Sequence, residues 1–356
     1  MGTIFVIGNG FDLNCGLNTK YSDFFNWCLT NVPGYKGIKN LHPQSILMDM
    51  NIREAIEEKG FTVWYLYFIL KASLFGKNDW CNIEEEIKES FESGFWDGVL
   101  SDINYFLSND EWGVHDEDWY FAYMMYSRYF DDGKYFFRKD FPREFFETRV
   151  ISEQEFYDAL LKELNQVEGH FSNFLASEVS AKESIYAVRQ FELLDKLTKL
   201  TSSEEPVNVV SFNYTEIVPG TDEKRIQSNN IHGVLTGKPI FGISSIGNRD
   251  SSKEQFTKAH RRMIDNLVTL GEFIKGDDHS IVFYGTSLND LDYDYYYNIL
   301  RLFNKTKTIH FCYSNFDGTD HKNEQVKLVK KLIDKIYFGT FYQLVESERV
   351  KITLIK

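Results

Sequence analysis

The chain has 356 residues, 39 Lys and Arg against 53 Asp and Glu, and a formal net charge of −14. At roughly 150 residues per domain, that length suits two domains or one domain with a large insertion. A content of 43% hydrophobic and 26% charged residues excludes wholesale disorder, and the acidic balance argues against a nucleic-acid partner, which needs a basic face.

Residues 3–8 (TIFVIG) are a short run of β-formers ending in glycine, the pattern of a strand buried on both faces. From 17 to 205 no clean strand pattern occurs. Segments 47–59, 61–75, 82–107, 119–130, 143–176 and 178–200 carry helical periodicity instead. Ile83, Ile87, Phe91 and Phe95, four apart, make one stripe whose plain role is core packing. Residues 131–144 read as a loop bearing aromatics. Strand patterns return at 207–212, 280–285, 307–312 and 350–355, with helical patterns at 255–275, 289–304 and 320–337. This spacing predicts a parallel sheet with helices on both faces. The expected fold is α/β, with a Rossmann-like core from 1–30 and 205–356 and a helical insertion, 31–204, capping one sheet edge. The 31 Phe, 21 Tyr and 6 Trp against 6 Pro suggest a densely packed helical body.

Cys15, Cys28, Cys81 and Cys312 include no C-x-x-C pair, so a four-thiolate zinc site is not expected. Their scatter and the lack of a signal-peptide pattern predict free thiols and a cytoplasmic location. The longest later apolar run, Phe61 to Phe75, contains Lys71 and falls short of the ~20 residues of a membrane span, so no membrane association is expected.

Four predicted strand ends carry polar residues. After the first comes IGNGFDLNCGLNTKYSDF, with Gly8 and Gly10 flanking Asn9, then Phe11 and Asp12. A G-x-G turn brings backbone amides close to a phosphate or ribose, or merely bends the chain. Leu13 stands where a dinucleotide fingerprint has its third glycine, so an ordinary hydride-transfer enzyme is disfavoured. Asp12 suits a ribose hydroxyl or a water; its plainer role is helix N-capping. The second end is SFNYTEI (Ser211 to Ile217), where Asn213 offers a donor and an acceptor, or forms an Asx-turn. In the third, NIHGVL, His232 precedes Gly233 and is a candidate general base or a structural hydrogen bonder. The fourth, Gly285-Thr286-Ser287-Leu288, places two hydroxyls before a helix capped near Asn289 or Asp290, a phosphate cradle or an ordinary cap. Asp290, Asp292 and Asp294 lack the glycine and late glutamate of a calcium loop, and no metal is expected.

The order of these motifs resembles the sirtuin signature of a Gly-rich loop, T-x-N-x-D, H-G and G-T-S. It looks closer still to the bacteriophage abortive infection AbiH family. The residues carrying that likeness are Ile7 to Phe24, Trp80 to Glu84, Phe212 to Thr215, His232-Gly233 and Gly285 to Asp292, with Tyr295-Tyr296 beyond. It spans residue 3 to about 300. The resemblance implies a sirtuin-like fold and an anti-phage effector that hydrolyses NAD to nicotinamide and ADP-ribose. By that analogy Asn213 orients the ribose or a water, and His232 acts as base or accepts a ribose hydroxyl. Gly8, Gly10, Thr286 and Ser287, with Gly285 beside them, cradle the pyrophosphate. Asp12 and Asp292 hold ribose or position water, and Glu84 reaches over the pocket from the insertion. Asn9, Phe11 and Ser211 depart from the sirtuin pattern and are counted with the binding residues. The sirtuin zinc ribbon is missing, so protein deacetylation is not implied.

NAD is thus expected as substrate, and the activity has to be gated by a phage-derived trigger or by homo-oligomerisation, with the helical insertion as the surface for it. Two other readings stand beside this one. One is a binding module that senses a nucleotide without chemistry. The other is a metal-dependent nuclease using Asp12, Glu84, Asp290 and Asp292.

Overall fold

A computed structural model describes residues 2–39, 60–74, 82–109, 119–131, 149–201, 207–217, 226–235, 237, 239–244, 251–265, 267–274, 279–301, 308–315, 318, 320–337 and 339–355. The expected helix at 47–59, nearly all of the loop at 131–144, Trp80 and Cys81 lie outside these residues.

Six strands form one sheet: β1 (Gly2–Ile7), β2 (Val207–Ser211), β3 (Ile226–Asn230), β4 (His279–Tyr284), β5 (Ile309–Tyr313) and β6 (Val350–Leu354). Every pairing is parallel, in the order β3-β2-β1-β4-β5-β6. This is the doubly wound order, and winding reverses between β1 and β4. The register sets Ile7 opposite both Ser211 and Tyr284, so three chain segments leave the sheet at one level.

Period-2 alternation buries both sheet faces. Ile4, Val6, Ile281, Phe283, Ile309 and Phe311 face the helices Tyr293–Arg301 and Lys322–Tyr337. Phe5, Ile7, Val209, Val282 and Tyr284 face the short helix Asn9–Asn14 and the end of a 46-residue helix, Glu153–Thr198. A capping box of Ser152 and Glu155 starts this long helix. At 1.5 Å per residue it runs about 69 Å, so it serves two layers. Its C-terminal third covers the sheet through Tyr186, Leu193, Leu194 and Leu197. Its earlier turns enter an aromatic cluster with Phe24, Trp64, Trp96 and Phe171. The other helices between β1 and β2 build that cluster, including Tyr21–Asn31, Val63–Leu74, Ile83–Glu92 and Phe95–Asn109.

Some boundaries differ from the sequence patterns. The segments at 143–176 and 178–200 are one helix from Glu153 onward. The 82–107 pattern splits at Gly94, whose φ of +73° ends the first helix. The 255–275 pattern breaks into Ser251–Phe256, Lys258–Ile264 and Leu270–Phe273, because Thr257 and Thr269 each cap a new helix. Strand β3 (IQSNN) has no apolar run to announce it; it is a polar edge strand with only its last two residues buried. Cys15, Cys28 and Cys312 are buried free thiols. Among the described residues no helix is long and apolar enough to cross a membrane.

Candidate functional site

The loops after β1 and β4 touch backbone to backbone. The Gly8 amide donates to Tyr284 O at 3.1 Å and the Gly10 amide to Gly285 O at 2.8 Å. A Cβ on Gly10 would lie 2.6 Å from Gly285 Cα, and one on Gly285 2.4 Å from the Phe11 nitrogen. Gly285 also has φ +68°, which favours glycine. The glycines are therefore required for the close crossing of two loops at the switch point. Both glycine amides are engaged within the protein and do not serve as the expected phosphate cradle. Thr286 and Ser287 beside them line the cleft, and the Ser287 Oγ accepts the Asn289 backbone amide at 3.3 Å. The Asn9 side chain is tied to Thr19 by two hydrogen bonds.

Beyond these strand ends lies a cleft of about 910 Å³. It brings together Gly8, Asn9, Gly10, Asp12, Glu84 and Asn213 with His232, Gly285, Thr286, Ser287 and Asp292. Two expected binding residues do not line it. Phe11 is fully buried under the loop and packs edge-to-face on Tyr284, 6.4 Å between centroids. It belongs to the core because the helix turns it toward the sheet. Ser211 ends β2, is fully buried, and its Oγ accepts the Asn213 backbone N–H at 3.1 Å. It shapes the turn that presents Asn213.

Asp12 is not a helix N-cap; Gly8 holds that place. Its carboxylate is buried, with Oδ1 accepting from the Tyr186 hydroxyl at 2.7 Å and Oδ2 from Thr215 at 2.6 Å. Burial pushes its pKa up to about 6, and hydrogen bonding from Thr215, Tyr186 and the Asn213 side chain limits the rise. Asp12 thus joins the first loop, the long helix and the turn after β2.

A buried charged network adjoins the cleft through Glu84, His232 and Asp292. Asp292 Oδ1 lies 2.8 Å from Lys258 Nζ and 3.2 Å from His232 Nε2. The same ammonium lies 3.0 Å from Glu84 Oε1 and 3.1 Å from Oε2. Burial would raise the Asp292 pKa, but the Lys258 ammonium and then His232 outweigh it and hold the carboxyl well below the usual range. Burial would likewise discharge Lys258, but Asp292 and Glu84 keep it firmly protonated. Around the imidazole stand Phe212, Tyr214 and Tyr295, with ring centroids 5.4, 5.9 and 6.2 Å away. The side-chain carboxamide of Asn213, which interacts only weakly with Asp12, and the Tyr214 and Tyr295 hydroxyls are buried without a close hydrogen-bond partner in the protein. Buried polar atoms of this kind mark a place for a polar ligand or water.

Three residues of this site had no signal in the sequence. Lys258 sits in a pattern that reads as an ordinary amphipathic helix. Asn230 ends the polar β3, and its Nδ2 donates to Asn213 O and Thr215 O, both at 2.8 Å. Arg262 donates to Ile231 O, the carbonyl before His232, and to Val268 O at 2.7 Å. The nuclease quartet does not converge. Asp290 is exposed, and both Asp12 oxygens are engaged by Tyr186 and Thr215. Between Glu84 and Asp292 stands the Lys258 ammonium, in the position a bridging cation would need.

The family model for bacteriophage abortive infection AbiH matches residues 4–313, from β1 to the end of β5. The chain belongs to that family. No curated protein and no solved structure matches.

Proposed function

We propose that this AbiH chain, whose family places it in phage abortive infection, binds NAD in the cleft and hydrolyses its nicotinamide–ribose bond. The reading includes a sirtuin-like type for the doubly wound fold. One observation carries it: the buried Asn213 carboxamide, with no close hydrogen-bond partner, lines a cleft at the switch point together with the His232–Asp292 pair. The volume of about 910 Å³ is near the top of the roughly 300–1,000 Å³ range of small-molecule sites, as a dinucleotide needs.

In this reading the C1′–nitrogen bond breaks and its electron pair neutralises the departing nicotinamide. Positive charge develops at C1′, and the Asp292 and Glu84 carboxylates supply a field that favours it. Water adds to C1′, oriented by Asn213, and His232 takes its proton. The sum is NAD⁺ and water going to nicotinamide, ADP-ribose and a proton. Thr286 and Ser287 hydroxyls face the pyrophosphate.

The test is NAD⁺ consumption with products separated by chromatography, for wild type, Asn213→Ala and His232→Ala. Nicotinamide and ADP-ribose are expected from wild type, with turnover reduced about 10²–10⁴-fold in His232→Ala and lost in Asn213→Ala. Wild-type turnover in both folded variants would sink the proposal. NAD⁺ bound yet intact after long incubation would make the protein a nucleotide sensor, and metal-stimulated cleavage of DNA or RNA would make it a nuclease.

A further inference from the structure

The helix Lys258–Ile264 carries three buried cations, Lys258, Arg261 and Arg262, each reaching a different element. Arg261 grips the Glu168 carboxylate of the long helix with both guanidinium nitrogens and also donates to Phe241 O at 2.8 Å. Arg262 holds the carbonyl before His232. Lys258, only 2% exposed, reaches Asp292 from the sheet side and Glu84 from the helical body. The ammonium is thus fixed by an anchored backbone, unlike a surface lysine whose long side chain wanders.

We infer that Lys258 is a positioning residue of the cleft: it sets the Asp292 carboxylate, through it His232, and couples both to the helical body at Glu84. Lys258 and His232 share a single oxygen, Asp292 Oδ1, and the lysine is the nearer of the two. It supplies the hydrogen bond that orients the carboxylate, while the imidazole contact at 3.2 Å follows from that orientation. The same ammonium binds both oxygens of Glu84, on the first turn of Ile83–Glu92, so displacement of that helix pulls on the Asp292–His232 pair.

The kinetic arm of the test rests on the NAD reading; the structural arm does not. Lys258→Met alone leaves two buried carboxylates facing each other and can fail to fold. Lys258→Met/Glu84→Gln keeps one net negative charge in the trio, and Glu84→Gln alone keeps Lys258 on Asp292. Crystal structures of the two variants are compared with wild type. The expected result is that the double variant loses the Asp292–His232 contact, the pair separating beyond about 4 Å, the limit of an ion pair, while Glu84→Gln retains it. In turnover, the double variant is expected to lose about 10²-fold in kcat, the cost of a ~1 Å misplacement, with little change in KM. A double variant that keeps the 3.2 Å contact overturns the inference, because Lys258 would then only balance charge. Loss of the contact in Glu84→Gln alone overturns it too, by assigning the positioning to Glu84. Wild-type protein that leaves NAD⁺ intact refutes the NAD reading and leaves the crystallographic comparison to decide the role of Lys258.

Discussion

Replacing Asp12 by Asn should change stability in a way that depends on pH. In the folded protein Asp12 has a pKa near 6 against 3.8 for the free side chain, because it is buried between the loop and the long helix. At 1.36 kcal/mol per unit, this difference is about 3 kcal/mol. The folded pKa is raised, so between these two values the folded state binds more protons than the unfolded state. Stability contributed by Asp12 is then fully present below about pH 4 and is lost as pH rises through 6. Asn cannot titrate, so the stability of Asp12→Asn relative to wild type should climb by about 3 kcal/mol from acid to pH 8, about half of it between pH 5 and 8. Its altered hydrogen bonds to Tyr186 and Thr215 add an offset that does not vary with pH. For 356 residues the full change is about 4 °C in melting midpoint. Melting both proteins across this range and plotting the difference cancels every other titrating group. A flat difference, or one that falls with pH, would refute a carboxyl pushed up by burial.

Tyr186→Phe removes one donor to the Asp12 carboxylate. It should cost roughly 1.5–3 kcal/mol at pH 8, where the partner is charged, and less at pH 5; denaturant titrations at the two values check this. Gly285→Ala should lose about 2–5 kcal/mol, combining the left-handed backbone penalty with a Cβ 2.4 Å from the Phe11 nitrogen, which a thermal melt would show as a large fall. Lys258→Met should be destabilised by roughly 3–5 kcal/mol because it strands two buried carboxylates. Adding Glu84→Gln should recover most of that loss, and a double variant no more stable than the single one would contradict the ion-pair account.

The strand runs TIFVI, VNVVS and IVFY were legible because buried parallel strands need uninterrupted β-formers, and a strand's chemistry collects where it ends. Gly8, Asn213 and Thr286 could therefore be placed at one sheet edge from these runs, His232 could be picked out by its own H-G motif, and the cleft does gather all four. The sequence pattern could not say which polar residues face inward. Phe11 and Ser211 lie in the same motifs as Asp12 and Asn213, yet the helix turns one into the core and the turn after β2 uses the other for its own hydrogen bond. Periodicity also hid β3, because an edge strand needs no apolar face of its own to pair. Lys258 had the weakest signal of all. A lysine in a helical pattern ordinarily reaches solvent; this one is neutralised by Glu84 and Asp292, 174 and 34 residues away along the chain. Strand identity is local, because it follows from side-chain shape and alternation. Partnership between buried charges is not, because only folding brings residues that distant within 3 Å, and the chemistry available at the cleft depends on that meeting.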